Sequence, residues 1–103
     1  MSTDTIGEKL RQLREEKELP LRKVAAQLDI DVAILSKMER GIRKITKEIV
    51  LQLADIYDYD AHELLVSFLS DKIMYEIQDE ELGMEALKVA EERVKYLKSK
   101  GEK

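Results

Sequence analysis

The sequence has no cysteine, no tryptophan, one histidine, one proline and only four glycines among its 103 residues. Without cysteine there are no disulfides and no thiolate metal sites, and a single histidine makes a transition-metal site improbable. No apolar run approaches the roughly 20 residues that a membrane-spanning helix needs. Because helix breakers are rare and Ala, Leu, Glu and Lys are abundant, the composition predicts an all-α fold.

The sequence shows no arrangement typical of catalysis, because its numerous carboxylates are spread along predicted solvated helix faces. His62 lies beside Glu63 in a predicted helix start, where a surface position is expected, and the chain has no glycine-rich phosphate loop. We therefore expect no enzyme activity, no cofactor, no metal and no small-molecule ligand. The first ten residues lack the basic region and apolar run of a signal peptide, so a cytoplasmic protein without a membrane partner is expected.

Charge is distributed unevenly along the chain. The net charge is −4, yet residues 20–47 contain seven basic and only three acidic residues. A local basic patch on an acidic protein suits contact with phosphate, although a solvated surface with ordinary charge fluctuation gives the same count.

Apolar spacing and capping residues predict a series of helices. Thr5 and Glu8 form a capping box for a first helix reaching about Lys17. Further helices are expected over residues 21–28 and 32–39, the latter capped by Asp31 and ended by Gly41. A fourth runs from the Thr46 cap to about residue 57. A fifth follows a capping box at residues 60–63 and either reaches residue 77 or breaks near residues 70–71. A turn at residues 78–81 and a last helix over about residues 80–98 complete the series.

Two short helices joined by a three-residue turn are the unit of the helix-turn-helix. The segment "LREEKEL…KVAAQLDIDVAILSKMERG", with Ala25 where the two helices touch, resembles the lambda-repressor and Cro type, or xenobiotic-response-element family, over about residues 6–65. The resemblance implies a five-helix DNA-binding domain over residues 1–69 with a C-terminal helical extension over residues 70–103. It also implies a homodimer that binds double-stranded DNA and regulates transcription.

The same resemblance assigns roles to individual residues. The helix at residues 32–39 would enter the major groove by its N-terminal end, with Val32, Ala33, Ser36 and Lys37 facing the bases. The phosphate contacts would come from a larger set of cations, namely Arg22, Lys23, Arg40, Arg43 and Lys44. Arg14 and Glu39 would form the structural ion pair of the family.

Three positions depart from the family pattern. Pro20 and Leu21 replace the Ser or Thr and the Gln that help to grip phosphate, so that anchor is weakened. Asp29 stands at the turn position that is often Gly, and tolerates a positive φ better than most residues. Ile45 replaces a common proline after "ERG".

The apolar tip Val32-Ala33-Ile34 has two interpretations. Val32 and Ala33 can contact thymine methyl groups, the one apolar feature of the major groove, while Ile34 suits packing at the core or its edge. Alternatively, the fold is a protein-interaction module whose apolar face docks on a partner, as in a two-protein regulatory system. The net acidity favours the second function, and the cations beside the same helix favour DNA.

The C-terminal segment has an apolar stripe of its own, formed by Leu87, Ala90, Val94 and Leu97. Its 3-4-3 spacing is the coiled-coil pattern, in a segment too short to be a convincing coiled coil alone. We expect the stripe to be buried either on its own domain or against a second copy of the chain. The second alternative suits DNA binding, because two DNA-reading domains must be held about one DNA turn, roughly 34 Å, apart. The whole chain, including the ending "ALKVAEERVKYLKS", is similar to small bacterial regulators of this type.

Overall fold

The computed structural model describes residues 4–101, and this part of the chain consists of helices without strands. The all-α expectation is therefore confirmed. In chain order the helices are α1 (Ile6–Glu16), α2 (Leu21–Leu28), α3 (Val32–Glu39), α4 (Lys47–Ile56), α5 (Ala61–Ile77) and α6 (Gly83–Gly101). None of the helices in the described range is long and apolar enough to cross a membrane.

The chain divides into two compact units between Asp71 and Lys72, inside α5. The boundary expected from the sequence lies two residues earlier, between residues 69 and 70. The first unit extends to Asp71 because Phe68 is buried in the core and the Asp71 carboxylate accepts a hydrogen bond from the Ile6 N–H at 3.0 Å. Burial and the neighbouring Glu8 raise the pKa of the Asp71 carboxyl, and the Ile6 N–H partly opposes this shift.

The helix starts follow the predicted capping residues. Thr5 accepts from the Glu8 N–H at 3.2 Å while the Glu8 side chain accepts from the Thr5 N–H at 2.8 Å, which completes the capping box. The Asp31 carboxylate accepts from the Ala33 N–H, and the Thr46 hydroxyl accepts from the Ile49 N–H. Each acceptor satisfies an amide that has no partner inside its helix.

Of the two alternatives for the fifth helix, the unbroken one is confirmed, because α5 continues to Ile77. Asp60 caps it through the His62 N–H at 2.9 Å, whereas the expected capping box uses the Glu63 N–H. The start of the last helix also differs from the expectation. Helix α6 begins at Gly83 rather than near Glu80, because the turn after α5 continues to Leu82.

Left-handed residues end several helices. Asp29 has φ 58° and ψ 44°, so the positive φ expected at the turn position is confirmed. Gly41 has φ 76° after α3, where the Ile42 N–H donates to the Lys37 carbonyl at 2.9 Å and the Gly41 N–H donates to the Met38 carbonyl at 3.2 Å. This is the double hydrogen bond of a Schellman cap, and it turns the chain back across the last turn of α3.

The core of the first unit draws on α1 through α5. Its fully buried side chains include Leu10 of α1, Val24 of α2, Leu35 of α3, Leu53 of α4 and Leu64 of α5. Helix α3 packs against α1 and α2, and α2 packs against α4. Helix α3 is therefore held by its neighbours along its buried side.

Gly7 sets the closest approach between α1 and the end of α3. A Cβ atom at this position would lie 2.6 Å from the Met38 carbonyl oxygen and 2.7 Å from the Glu39 carbonyl oxygen. Both atoms belong to backbone, which cannot rotate away as a side chain can. Only glycine allows α1 to pack this closely on α3.

An ion pair fixes the same end of α3. Arg14 Nε donates to Glu39 Oε2 at 2.7 Å, and Nη2 donates to Oε1 at 3.1 Å. Arg14 Nη1 donates to the Leu19 carbonyl at 2.9 Å, so one guanidinium joins α1, the segment before α2 and α3. Both side chains are largely buried, and the hydrogen bonds that Arg14 donates to Glu39 contribute most to the raised pKa of Arg14.

Tyr57 lies in the core, close enough to this ion pair for both charges to affect the pKa of its hydroxyl. Burial raises the pKa of its hydroxyl, the Glu39 carboxylate raises it further, and Arg14 partly opposes both effects. Within residues 4–101 the hydroxyl has no hydrogen-bond partner. It is therefore a polar group that is buried without a compensating bond.

Replacing Gly7 by Ala is expected to lower the free energy of unfolding by about 1–3 kcal/mol, because the new methyl group overlaps two backbone carbonyls. Urea denaturation followed by circular dichroism measures this loss. Gly101→Ala is the matched control, since a Cβ there meets no atom within 4 Å. Equal stability of both variants and the wild type would contradict the close approach of α1 and α3.

Tyr57→Phe is expected to leave the free energy of unfolding unchanged or to raise it by about 1 kcal/mol, because it removes an unpaired buried hydroxyl. Glu39→Gln provides the contrast: it leaves the Arg14 charge without its counter-charge and is expected to cost about 3 kcal/mol. A marked loss of stability in Tyr57→Phe would show that the hydroxyl has a hydrogen-bond partner.

Candidate nucleic-acid interface

Helices α2 and α3 form the two-helix unit that the spacing predicts. Both have the bounds expected from the sequence, and residues 29–31 connect them. The left-handed Asp29 reverses the chain, and the Ile30 N–H donates to the Ala25 carbonyl at 3.0 Å. Ala25 is buried at the same place, where a larger side chain would separate the helices.

Helix α3 has one buried side and one exposed side. Its buried residues are Leu35, Met38 and Glu39. Val32 is 40% exposed, and Ala33 and Lys37 are also exposed, whereas Ser36 is half-buried. Ile34 is half-buried too, as expected for a position at the edge of the core. The N-terminal end of α3 thus presents a small, largely apolar surface with one lysine.

The loop after α3 carries three of the cations that the resemblance assigns to phosphate, namely Arg40, Arg43 and Lys44. All three are exposed. The Arg43 N–H donates to the Lys37 carbonyl at 3.3 Å, beside the Ile42 N–H on the same oxygen. The loop is therefore held against the end of α3 rather than extending freely from it.

The start of α2 carries the other two cations. Arg22 and Lys23 are exposed in its first turn, while Leu21 is half-buried and packs against the core. Pro20 is the N-cap and supplies no side-chain hydrogen bond to the free amides. At these positions Pro20 and Leu21 act as structural residues, so any anion here meets cationic side chains without a polar cap.

The five cations share a further property. Within residues 4–101 none of them forms an ion pair or a side-chain hydrogen bond. By contrast, Arg11 pairs with Glu15, and Lys95 lies 3.9 Å from both Glu91 and Glu92. The cations around α3 are thus available to an external anion.

One exposed residue in this region was not predicted. Ile42 is 65% exposed between Gly41 and Arg43. Its signal in the sequence is an isolated apolar residue inside the basic run "RGIRK", outside any helical pattern. It adds an exposed apolar side chain to a loop that is otherwise cationic.

The four residues of the C-terminal stripe lie outside any core. Leu87 is half-buried, and Ala90, Val94 and Leu97 are exposed, Val94 by 51% and Leu97 by 64%. The structure thus leaves most of the stripe uncovered within a single chain.

Comparison with known proteins gives consistent matches. The chain is 39% identical to the HTH-type transcriptional regulator DdrOP3 of Deinococcus deserti over 67 residues, which are 63% of this chain and 52% of that protein. It is 30% identical to the HTH-type transcriptional regulator RamB of Mycobacterium tuberculosis over 61 residues, 59% of this chain and 13% of the relative. The matched region is thus about half of the first relative and a small part of the second. No solved structure matches.

The family comparison covers the region built above. Residues 5–65 match the helix-turn-helix domain family, a span that begins at the cap of α1, ends in α5 and includes the whole α2–α3 unit. That span is more than half of the chain. The chain therefore belongs to the helix-turn-helix domain family.

Proposed function

We propose that the protein is a transcriptional regulator that binds double-stranded DNA sequence-specifically in the cytoplasm as a dimer, with α3 in the major groove. The observation that carries the proposal is the set of five exposed, unpaired cations at the start of α2 and in the loop after α3, the two helices of the unit whose second helix has an exposed tip. Affinity for DNA comes largely from such phosphate contacts. The two relatives, each named as an HTH-type transcriptional regulator, support the same function.

Arg22, Lys23, Arg40, Arg43 and Lys44 would hold the backbone of the duplex, each neutralising a phosphate. Because Arg43 is hydrogen-bonded through its backbone to the end of α3, its phosphate contact would set the depth at which α3 enters the groove. Phosphate contacts of this kind orient a protein on DNA without reading its sequence.

Sequence reading would come from Val32, Ala33, Ser36 and Lys37. Val32 and Ala33 can contact the thymine methyl group, and Lys37 can donate to guanine O6 and N7. Residues 32–34 at the tip include no Arg, Asn or Gln, so of the four reading residues only Lys37 can make a bidentate contact worth about 1–3 kcal/mol of discrimination. Each half-site would be read modestly, which makes the second copy of the domain important.

The second copy would be held by the stripe of Leu87, Ala90, Val94 and Leu97. Three of the four side chains are exposed in the single chain. Burying apolar surface stabilises an association by about 25 cal/mol for each Å² removed from water, so these residues favour a dimer over an isolated α6.

Fluorescence anisotropy with a duplex from the upstream region of the protein's own gene, and a scrambled duplex as control, tests the proposal at several salt concentrations. We expect tighter binding to the native duplex and a steep loss of affinity with salt. Equal affinity for both duplexes would contradict an operator in that region. Absence of binding at low salt would overturn DNA binding, and the exposed Val32 would then favour a protein partner.

Arg43→Ala and Lys44→Ala are each expected to weaken binding to both duplexes and to reduce the salt slope by about 1, because each removes one phosphate contact. Lys37→Ala is expected instead to reduce the preference between the duplexes. Lys88→Ala, an exposed lysine on α6, is the matched control and should bind like the wild type. A Lys88→Ala defect equal to that of Arg43→Ala would show that the effect comes from net charge alone.

A further inference from the structure

Helix α6 exposes apolar side chains beyond the stripe read from the sequence. Val89 and Tyr96 share a second exposed face, about 80–100° around the helix from Leu97, and Tyr96 is 64% exposed. With Leu97, Glu92 and Arg93 they line an open groove of about 370 Å³. From Lys88 to Gly101 every residue of α6 is exposed.

The second unit cannot cover these exposed side chains with its own residues. Its share of α5 is residues 72–77, about 9 Å of helix, whereas the 19 residues of α6 extend about 28 Å. Gly83 is the buried residue of α6, and a Cβ there would lie 2.5 Å from the Ile77 carbonyl. The contact within the unit is therefore confined to the beginning of α6.

Charge is distributed unevenly along α6 and the residues just before it. Residues 79–92 contain six carboxylates and one lysine, and three of these carboxylates precede Gly83, where α6 begins. Residues 93–100 contain four cations and no carboxylate. Lys95 is already close to Glu91 and Glu92 in its own helix, which leaves Glu85 near the start, and Arg93, Lys98 and Lys100 near the end, without a partner in the described part of the chain. Two such helices attract each other when they run in opposite directions and repel when they run in the same direction.

The stripe is symmetric under the same reversal. Leu87 and Leu97 are equidistant from residue 92, and so are Ala90 and Val94. In an antiparallel pair the small Ala90 would face the larger Val94 of the other copy. In a parallel pair Ala90 would face a second Ala90 and leave space between the helices, which lowers packing density.

We propose that α6 pairs antiparallel with α6 of a second copy of this chain. The stripe of Leu87, Ala90, Val94 and Leu97 lies between the helices, and the acidic residues at and before the start of each helix lie beside the basic end of the other. The proposal rests on the dimeric function inferred above. It adds that the two helices run in opposite directions and that their pairing is centred on residue 92.

The absence of cysteine allows a direct test by disulfide formation. Leu87→Cys and Leu97→Cys proteins are oxidised mildly, each alone and then mixed, without DNA. In the antiparallel pair position 87 faces position 97, so the mixed disulfide should exceed either homodisulfide about tenfold, because the two Cα atoms must approach to roughly 7 Å or less. Lys88→Cys, on the polar side of α6, is the control and should remain uncrosslinked with either partner.

Efficient homodisulfides of Leu87→Cys and Leu97→Cys, each alone, would show parallel pairing and overturn the proposal. No disulfide above the Lys88→Cys control would overturn α6 as the interface. The wild-type protein is titrated with DNA in a parallel experiment. If DNA binds but the expected disulfides do not form, only the antiparallel pairing is contradicted. If the disulfides form but DNA does not bind, the regulatory function is contradicted and the pairing still holds.

Discussion

The contact between Arg14 and Glu39 is the constraint on which the placement of α3 depends. One guanidinium uses three donors to join α1, the segment before α2 and the last turn of α3. A planar arginine matches a carboxylate with two parallel bonds, so the pair fixes an orientation as well as a distance. Gly7 brings the backbones of the same two helices together nearby. The ion pair and the small size of Gly7 thus fix the C-terminal end of α3, and its N-terminal end is left free of the core.

The eight residues of α3 are therefore divided between packing in the domain and exposure at its surface. Leu35, Met38 and Glu39 hold α3 in the domain, while Val32, Ala33 and Lys37 remain at the surface. The Schellman cap at Gly41 then returns the chain to the side of α3, which keeps Ile42 and Arg43 beside the last turn of α3. A rigid support with an open tip and flanking cations is what contact with a polyanion needs.

Local patterns predicted much of this structure because caps, turns and helical periodicity act within a few residues. The capping box at Thr5, the cap at Asp31 and the bounds of α2 and α3 all follow from such patterns. The tight position of Gly7, the unpaired hydroxyl of Tyr57 and the bond from Ile6 to Asp71 depend on residues tens of positions away, so no short stretch of sequence reveals them. Only the close packing at Gly7 has a signal in the sequence, because a glycine inside a helix lowers the stability of the helix and often has a packing reason. The roles of the surface residues remain predictions, because surface exposure alone does not identify a partner.

The division of α3 into a holding side and a free side has a consequence for how such proteins diverge. Substitutions on an exposed side that makes no core contact usually change stability by less than about 0.5 kcal/mol. Mutations at Val32, Ala33 or Lys37 can therefore accumulate without unfolding the domain. Descendants of one ancestral chain could acquire new binding preferences by changing these residues while α1, α2 and the core stay the same.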